Sequence, residues 1–216
     1  MLNLINSITK EIDKHEKINL IVSGGNSPLK FLNLFLASKK KLLKKINFIT
    51  SDERILESSK KELNHRKISA IFKRNKINKK IFSFNKNFLK PKIKNKFLNL
   101  IKKNKTFSVI GIGEDGHFAS IFPNSKKVKL LLNSKYKPNI YLTEKLGNPN
   151  CKRITINLSL LLRSKKIFII LNTTKKKLLI KKLSIKKTSN LPVFKLLNIA
   201  KKKLTIFDAN SLRLIK

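Results

Sequence analysis

A short β-branched and aromatic run, Thr106-Phe107-Ser108-Val109-Ile110, leads directly into Gly111-Ile112-Gly113-Glu114-Asp115-Gly116-His117. The run reads as a buried strand. Three of the chain's six glycines and one of its three histidines crowd the turn that follows. Glycines after a strand let the backbone turn sharply and leave amides free to face a ligand. The turn also offers two acids, Glu114 and Asp115, and an imidazole, His117, within four residues. Ala119-Ser120-Ile121-Phe122 is expected to begin a short helix closed by Pro123. Such a loop at a strand's carboxyl end is where α/β sheets keep general acids and bases.

The rest of the chain repeats the theme of strand, turn and helix. Leu4, Ile5, Ile8 and Ile12 are spaced as one face of a helix over Leu2 to His15. A strand over Lys17 to Ser23 then meets Gly24-Gly25-Asn26-Ser27-Pro28, with Ser27 placed as N-cap and Pro28 as first helical residue. Two glycines ahead of a helix N-terminus make either an ordinary turn or an anion cradle, built from free amides and the positive end of the helix dipole. A phosphate is the simplest ligand for Gly24, Gly25, Asn26 and Ser27. The next strand, Lys45 to Thr50, ends in Ser51-Asp52-Glu53-Arg54, which is either a solvated turn or supplies Arg54 as a forked partner for phosphate or carboxylate.

Further strands are expected over Lys80 to Phe84, Lys152 to Leu158, Lys166 to Leu171 and Lys203 to Phe207, with helices over Lys67 to Lys73 and Lys92 to Lys103. Arg153 is either a second anion ligand or a charge at the start of its strand. His65 reads as a surface residue and Cys151 as inert. Some six strands alternating with helices, without repeat or linker, give one α/β domain over residues 1–216: a Rossmann-like, open and mostly parallel sheet with helices on both faces.

A net charge of +40 taken alone suggests nucleic-acid binding. The lysines are spread over the whole chain, however, and Lys, Asn, Ile, Leu and Phe dominate together, as A/T-rich codons would supply them. The charge is read as compositional bias with solvated lysines; weak, salt-sensitive binding to polyanions follows either way. The absence of 18 consecutive apolar residues, of a signal-peptide pattern and of any cysteine beyond Cys151 gives the expectation of a cytoplasmic protein that touches no membrane. No cysteine, histidine or carboxylate cluster has metal-site spacing, and no Gly-x-Ser-x-Gly nucleophile is present. Gly111, Gly113 and Gly116 match a dinucleotide fingerprint only formally, without the long helix and acidic partner it needs. Neither cofactor nor metal is expected.

Gly111 to Pro123, GIGEDGHFASIFP, resembles the 6-phosphogluconolactonase signature G-x-G-x-D-G-H-x-A-S-L-F-P. Ser23 to Pro28 resembles that family's S-G-G-S/T-T-P phosphate loop, departing at Asn26. Asp52-Glu53-Arg54 resembles its D-E-R triplet, and Asn64 and the strand after Arg153 also resemble family segments. Lys175 takes the lysine of a G-x-x-K pattern whose glycine is here Asn172; Lys176 and Lys177 are competing candidates. The resemblance covers about Asn19 to Asn210, with a shorter N-terminal part than the family generally has. It implies hydrolysis of 6-phospho-D-glucono-1,5-lactone to 6-phosphogluconate in the oxidative pentose phosphate route, by a monomer or weak dimer. His117 is the natural proton carrier and Asp115 its orienting partner or a contact to a substrate hydroxyl. Arg54, with Arg153 or Lys175, would neutralise phosphate. Glucosamine-6-phosphate deaminase is the alternative, although its loop ends A-F-N-E-P and its triplet reads D-E-Y. A basic nucleic-acid-binding protein without activity is the reading from another class.

Overall fold

A computed structural model describes residues 2–56, 60–209 and 214–215. In chain order the elements are α1 (Leu2–Asp13), β1 (Ile18–Val22), α2 (Asn26–Ser38), β2 (Ile46–Thr50), β3 (Asp52–Arg54), α3 (Asn64–Arg74), β4 (Ile81–Phe82), α4 (Pro91–Lys103) and β5 (Lys105–Ile110). There follow α5 (Val128–Leu131), β6 (Ile140–Leu142), β7 (Arg153–Ile156), α6 (Leu158–Leu161), β8 (Ser164–Leu171), α7 (Thr174–Ser184), α8 (Pro192–Ile199), β9 (Leu204–Asp208) and β10 (Leu214–Ile215).

Strand alternation sorts the apolar side chains into two layers. Leu20 and Val22 of β1, Phe107 and Val109 of β5, and Phe168 and Ile170 of β8 pack with α1, α2 and α3. Ile21, Ile110, Ile167 and Ile169 face the other way, against α4, α6, α7 and α8. Burial on both faces explains why these strands read as nearly continuous apolar runs. Each fully buried Phe, Leu or Ile side chain stabilises by about 1.5–3 kcal/mol, so the two layers carry the fold.

The main sheet runs β10-β9-β8-β5-β1-β2-β4. All its neighbours are parallel except β10 against β9. From β1 the chain moves outward to β2 and β4, then returns past β1 to β5 and continues to β8 and β9. The connections leaving β1 and β5 therefore diverge and open a crevice at their carboxyl ends.

Two expectations need correction. The strand around Arg153 does not join the main sheet: β3, β7 and β6 form a separate three-stranded antiparallel sheet, with Asp52 opposite Thr155 and Arg54 opposite Arg153. Helix α2 starts two residues earlier than Ser27 capping would have it. Gly25 is its N-cap, no side chain caps it, and the Leu29 amide donates to the Gly25 carbonyl at 3.1 Å. Pro28 still sits in the first turn, where an amide would have no intrahelical acceptor.

Candidate active site

At the divergence of β1 and β5 lies a cavity of about 230 Å³, lined by Gly24 to Ser27, Asp52, Arg54, Asn64, Gly113, His117, Ser120, Arg153 and Lys176 among others. A wider groove of about 770 Å³ beside Pro123, Lys129 and Leu191 contains none of these groups. The candidate residues His117, Arg54 and Arg153 line the smaller space.

One wall is the Gly24-Gly25 turn and the first turn of α2. A Cβ at Gly24 would lie 2.1 Å from Asn64 Oδ1, so only glycine lets the loop lie against α3. Asn64 is itself fixed by its Nδ2, which donates to the Asp52 carbonyl at 2.9 Å. The amides of Asn26 and Ser27, at the positive end of α2, have no intrahelical acceptor and suit an anion.

The triplet at β3 divides its labour by strand alternation. Asp52 and Arg54 line the cavity. Glu53 is 2% exposed and accepts from the Arg54 amide at 2.9 Å, the Asn64 amide at 2.7 Å, the His65 amide at 2.8 Å and Ser83 Oγ at 2.9 Å. A carboxylate at the N-terminus of α3 complements the orphan amides and dipole there. His65, expected at the surface, is half-buried instead, with Nδ1 3.0 Å from the same carboxylate.

Arg54 Nη1 donates to the Glu62 carbonyl and, at 3.1 Å, to its carboxylate. Its Nε is enclosed without a hydrogen-bond partner, an unfilled donor beside a cavity that an acceptor would satisfy. Arg153 is buried; its Nε donates to the Leu146 carbonyl at 3.3 Å and its Nη2 to the Pro149 carbonyl at 2.9 Å. Burial pulls its pKa below the ordinary value, chiefly against the Asp52 carboxylate, which favours its charge.

The lysine assignment shifts by one. Lys175 is 81% exposed, with Nζ 3.7 Å from Glu114, and is not among the lining residues. Lys177 pairs with Asp208 at 2.6 Å. Lys176 lines the cavity and donates from Nζ to Asn172 Oδ1 at 3.2 Å. Burial lowers its pKa, with the Glu114 carboxylate opposing.

Facing the anion wall is the loop after β5. The Gly113 amide donates to the His117 carbonyl at 2.8 Å, and Gly116 turns the chain at φ 79°. This closure brings Asp115 Oδ1 within 2.6 Å of His117 Nδ1. Burial works to raise the Asp115 pKa, but the His117 ring bond and charge and the loop amides outweigh it and hold the carboxyl below its usual value. An ionised carboxylate only accepts, so Nδ1 carries the proton of this bond, and in the neutral ring the lone pair lies on Nε2. The ring rests against Phe122, centroids 4.3 Å apart.

The short helix expected from Ala119 does not form. Ala119 and Ser120 take left-handed backbone angles, φ 45° and 57°, and Ile121 N donates to the Phe118 carbonyl at 2.7 Å. A side chain in that region costs ~1–2 kcal/mol per residue, so something must hold the turn. Ser120 Oγ donates to Asp52, and Thr155 Oγ1 donates to the Ala119 carbonyl. Ser23, Asp52 and Ser120 are not among the site residues expected from sequence, and Lys176 stands there only as one of three competing lysines. Among the described residues, no three His, Cys, Asp or Glu side chains gather as a metal site would require, and no helix is long and apolar enough to cross a membrane.

Known proteins resemble this chain in sequence and in fold. The protein called 6-phosphogluconolactonase in Helicobacter pylori strain J99 is 27% identical over 208 residues, covering 93% of this chain and 87% of its own. One called probable 6-phosphogluconolactonase in Dictyostelium discoideum is 31% identical over 183 residues, covering 80% and 76%. The crystal structure of 6-phosphogluconolactonase from Thermotoga maritima superposes with a TM-score of 0.74 at 24% identity, over 95% of this chain and 92% of that one. The family described as glucosamine-6-phosphate isomerases/6-phosphogluconolactonase matches residues 2–206. This chain belongs to that family.

Proposed function

We infer that the protein hydrolyses 6-phospho-D-glucono-1,5-lactone to 6-phosphogluconate, in the oxidative pentose phosphate route. The observation that carries this reading is the Asp115–His117 pair, 2.6 Å apart, set across one cavity from the Gly24 to Ser27 turn, Arg54, Arg153 and Lys176. The names of the relatives described above support the substrate. The cationic wall holds the phosphate, placing the lactone carbonyl towards His117. Nε2 takes a proton from a water as its oxygen attacks the carbonyl carbon, and nearby cations stabilise the oxyanion. The tetrahedral intermediate then collapses by breaking the bond to the ring oxygen. That oxygen leaves with the proton from the imidazolium, opening the ring to a hydroxy acid. Asp115 holds the reactive tautomer throughout. No cofactor is needed for this chemistry, and the reading is completed by a cytoplasmic monomer or weak dimer without a specific nucleic-acid partner.

The family name also covers glucosamine-6-phosphate isomerases. Arg54, where the deaminase triplet has tyrosine, and Ala119 to Pro123, ASIFP rather than AFNEP, favour the lactonase. The decisive assay follows freshly generated lactone against its spontaneous hydrolysis. Wild-type protein should give a clear excess rate, and His117→Ala should lower kcat by about 10²–10⁴-fold with little change in KM. No excess, with ammonia released from glucosamine 6-phosphate, would replace the lactonase reading by the deaminase one.

A further inference from the structure

Four hydroxyls and one carboxylate connect the floor of the cavity to the loop that carries His117. Ser23 Oγ lies 2.9 Å from Ser51 Oγ, and Ser51 Oγ donates to Asp52 Oδ1 at 2.6 Å. Ser120 Oγ donates to Asp52 Oδ2, and Thr155 Oγ1 to the Ala119 carbonyl. Ser23, Ser51, Asp52, Ser120 and Thr155 are all buried. These residues come from the ends of β1 and β2, from β3, from the loop after β5 and from β7. They converge on the two residues in left-handed conformation, Ala119 and Ser120, just beyond His117.

We propose that Asp52 is a positioning residue for His117, acting through Ser120 to hold the strained end of the loop against the β3–β7 sheet. The proposal rests on the lactonase reading above. Both Asp52 oxygens are already engaged by protein hydroxyls, so its first task is internal. A carboxylate in a cavity built for phosphate would also repel the ligand's charge if it turned towards it. The left-handed turn at Ala119 and Ser120 is not one that these residues adopt unaided. With the latch removed, the loop from Gly113 to Phe122 relaxes and His117 drifts from its line to the carbonyl carbon. The turn at Gly24 keeps its support from α3, because Asn64 is fixed by the Asp52 main-chain carbonyl and not by its side chain. Asp52 thus acts chiefly on kcat; because its charge also favours the Arg153 guanidinium, phosphate affinity is judged on Ser120→Ala, which leaves that charge in place.

An amide can replace a carboxylate that only positions, since asparagine still offers an acceptor to Ser120 and can donate to Ser51. It cannot replace one that moves a proton or balances charge at the reacting atoms. The test compares Asp52→Asn, Asp52→Ala, Ser120→Ala and the Asp52→Ala/Ser120→Ala double variant in lactone hydrolysis, with 6-phosphogluconate affinity measured by calorimetry and thermal melting as a folding control. A loss of alignment near 1 Å lowers kcat by about 10²-fold, so Asp52→Ala and Ser120→Ala are each expected to lose roughly 30–100-fold in kcat. Product affinity in Ser120→Ala should stay within about twofold, and Asp52→Asn should keep kcat within about fivefold. The double variant should fall no further than either single one, as for two ends of one contact. Asp52→Asn as damaged as Asp52→Ala would overturn the proposal in favour of a direct chemical role. So would fully additive losses, or either weakened product binding or wild-type kcat in Ser120→Ala, which decides the matter should Asp52→Ala fail to fold. Inactivity of the wild type on lactone would instead sink the lactonase reading.

Discussion

Replacing Gly113 with alanine would put a methyl carbon 2.1 Å from His117 Nδ1 and 2.3 Å from Asp115 Oδ1. Non-bonded carbon contacts are comfortable only at about 3.5–4.0 Å, so the imidazole, the carboxylate or both must retreat by more than about 1 Å. Gly113 has no positive φ that alanine would resist, and its amide would still donate to the His117 carbonyl. The backbone can therefore stay while the 2.6 Å bond from Nδ1 to Asp115 cannot. Nε2 would lose both its tautomeric bias and its aim. Misplacing a reacting group by 1 Å costs about 10²-fold, and that is the fall in kcat expected in a coupled assay of lactone hydrolysis corrected for the spontaneous rate. Stability should change by less than about 1 kcal/mol, since the restricted unfolded chain offsets part of the crowding. Gly113→Ala protein with kcat within threefold of wild type (about 0.7 kcal/mol) would refute the placement of His117 as proton carrier.

Gly24→Ala tests the opposite wall: its Cβ would lie 2.1 Å from Asn64 Oδ1, so KM and product Kd should rise about tenfold or more while kcat changes less. Lys176→Met should weaken binding of 6-phosphogluconate by about tenfold, whereas Lys175→Ala, removing an 81% exposed side chain, should leave it unchanged in calorimetry. Burial lowers the Lys176 pKa, so its charge is lost below the ordinary lysine value of about 10.4. Product Kd should therefore climb over that alkaline limb in wild type and stay flatter in Lys176→Met. The sign for stability is the reverse: the folded state releases this proton first, so Lys176 contributes more favourably as pH rises through the same window. Glu53→Gln should lose about 2–3 kcal/mol and lower Tm by roughly 5–10 °C, because one amide oxygen cannot serve the donors now sharing two carboxylate oxygens. With +40 net charge, added salt should raise Tm by screening self-repulsion while raising KM for an anionic substrate; a Tm that falls, or a KM that stays flat, as salt is added would contradict that account.

The main sheet was readable because its strands are buried on both faces, and runs such as Ile18 to Val22 and Ile167 to Leu171 carry the β-branched signal undiluted. The two loops of the site were readable because their glycines fall directly after those strands. The small sheet was hidden: β3 is three charged residues long, too short for periodicity, and its partner β7 lies about a hundred positions away in sequence. Lysine choice was hidden for a rotational reason. Thr173 caps α7 by accepting from the Lys176 amide, which sets the helical phase, and three consecutive lysines give no sign of which one turns inward. The left-handed pair at Ala119 and Ser120 was hidden because no local propensity asks for it. Tertiary bonds from Asp52 and Thr155 impose it.

A chain with 51 basic and 11 acidic residues draws anions to most of its surface, so cationic charge alone cannot choose where or how a phosphorylated ligand sits. Orientation has to come from the scarcer groups. Four of the eleven acids, Asp52, Glu53, Glu114 and Asp115, belong to the two segments that frame the cavity. Glu53 pins the N-terminus of α3 and with it Asn64, which limits the Gly24 turn. Asp52 ties β3 to the loop after β5, and Asp115 fixes the imidazole tautomer. The lysines can vary in number with little effect on geometry, since each acts mainly through a screened field. The acids act through directed bonds at fixed distances. In this protein the attraction is cationic and general, and the aim is acidic and local.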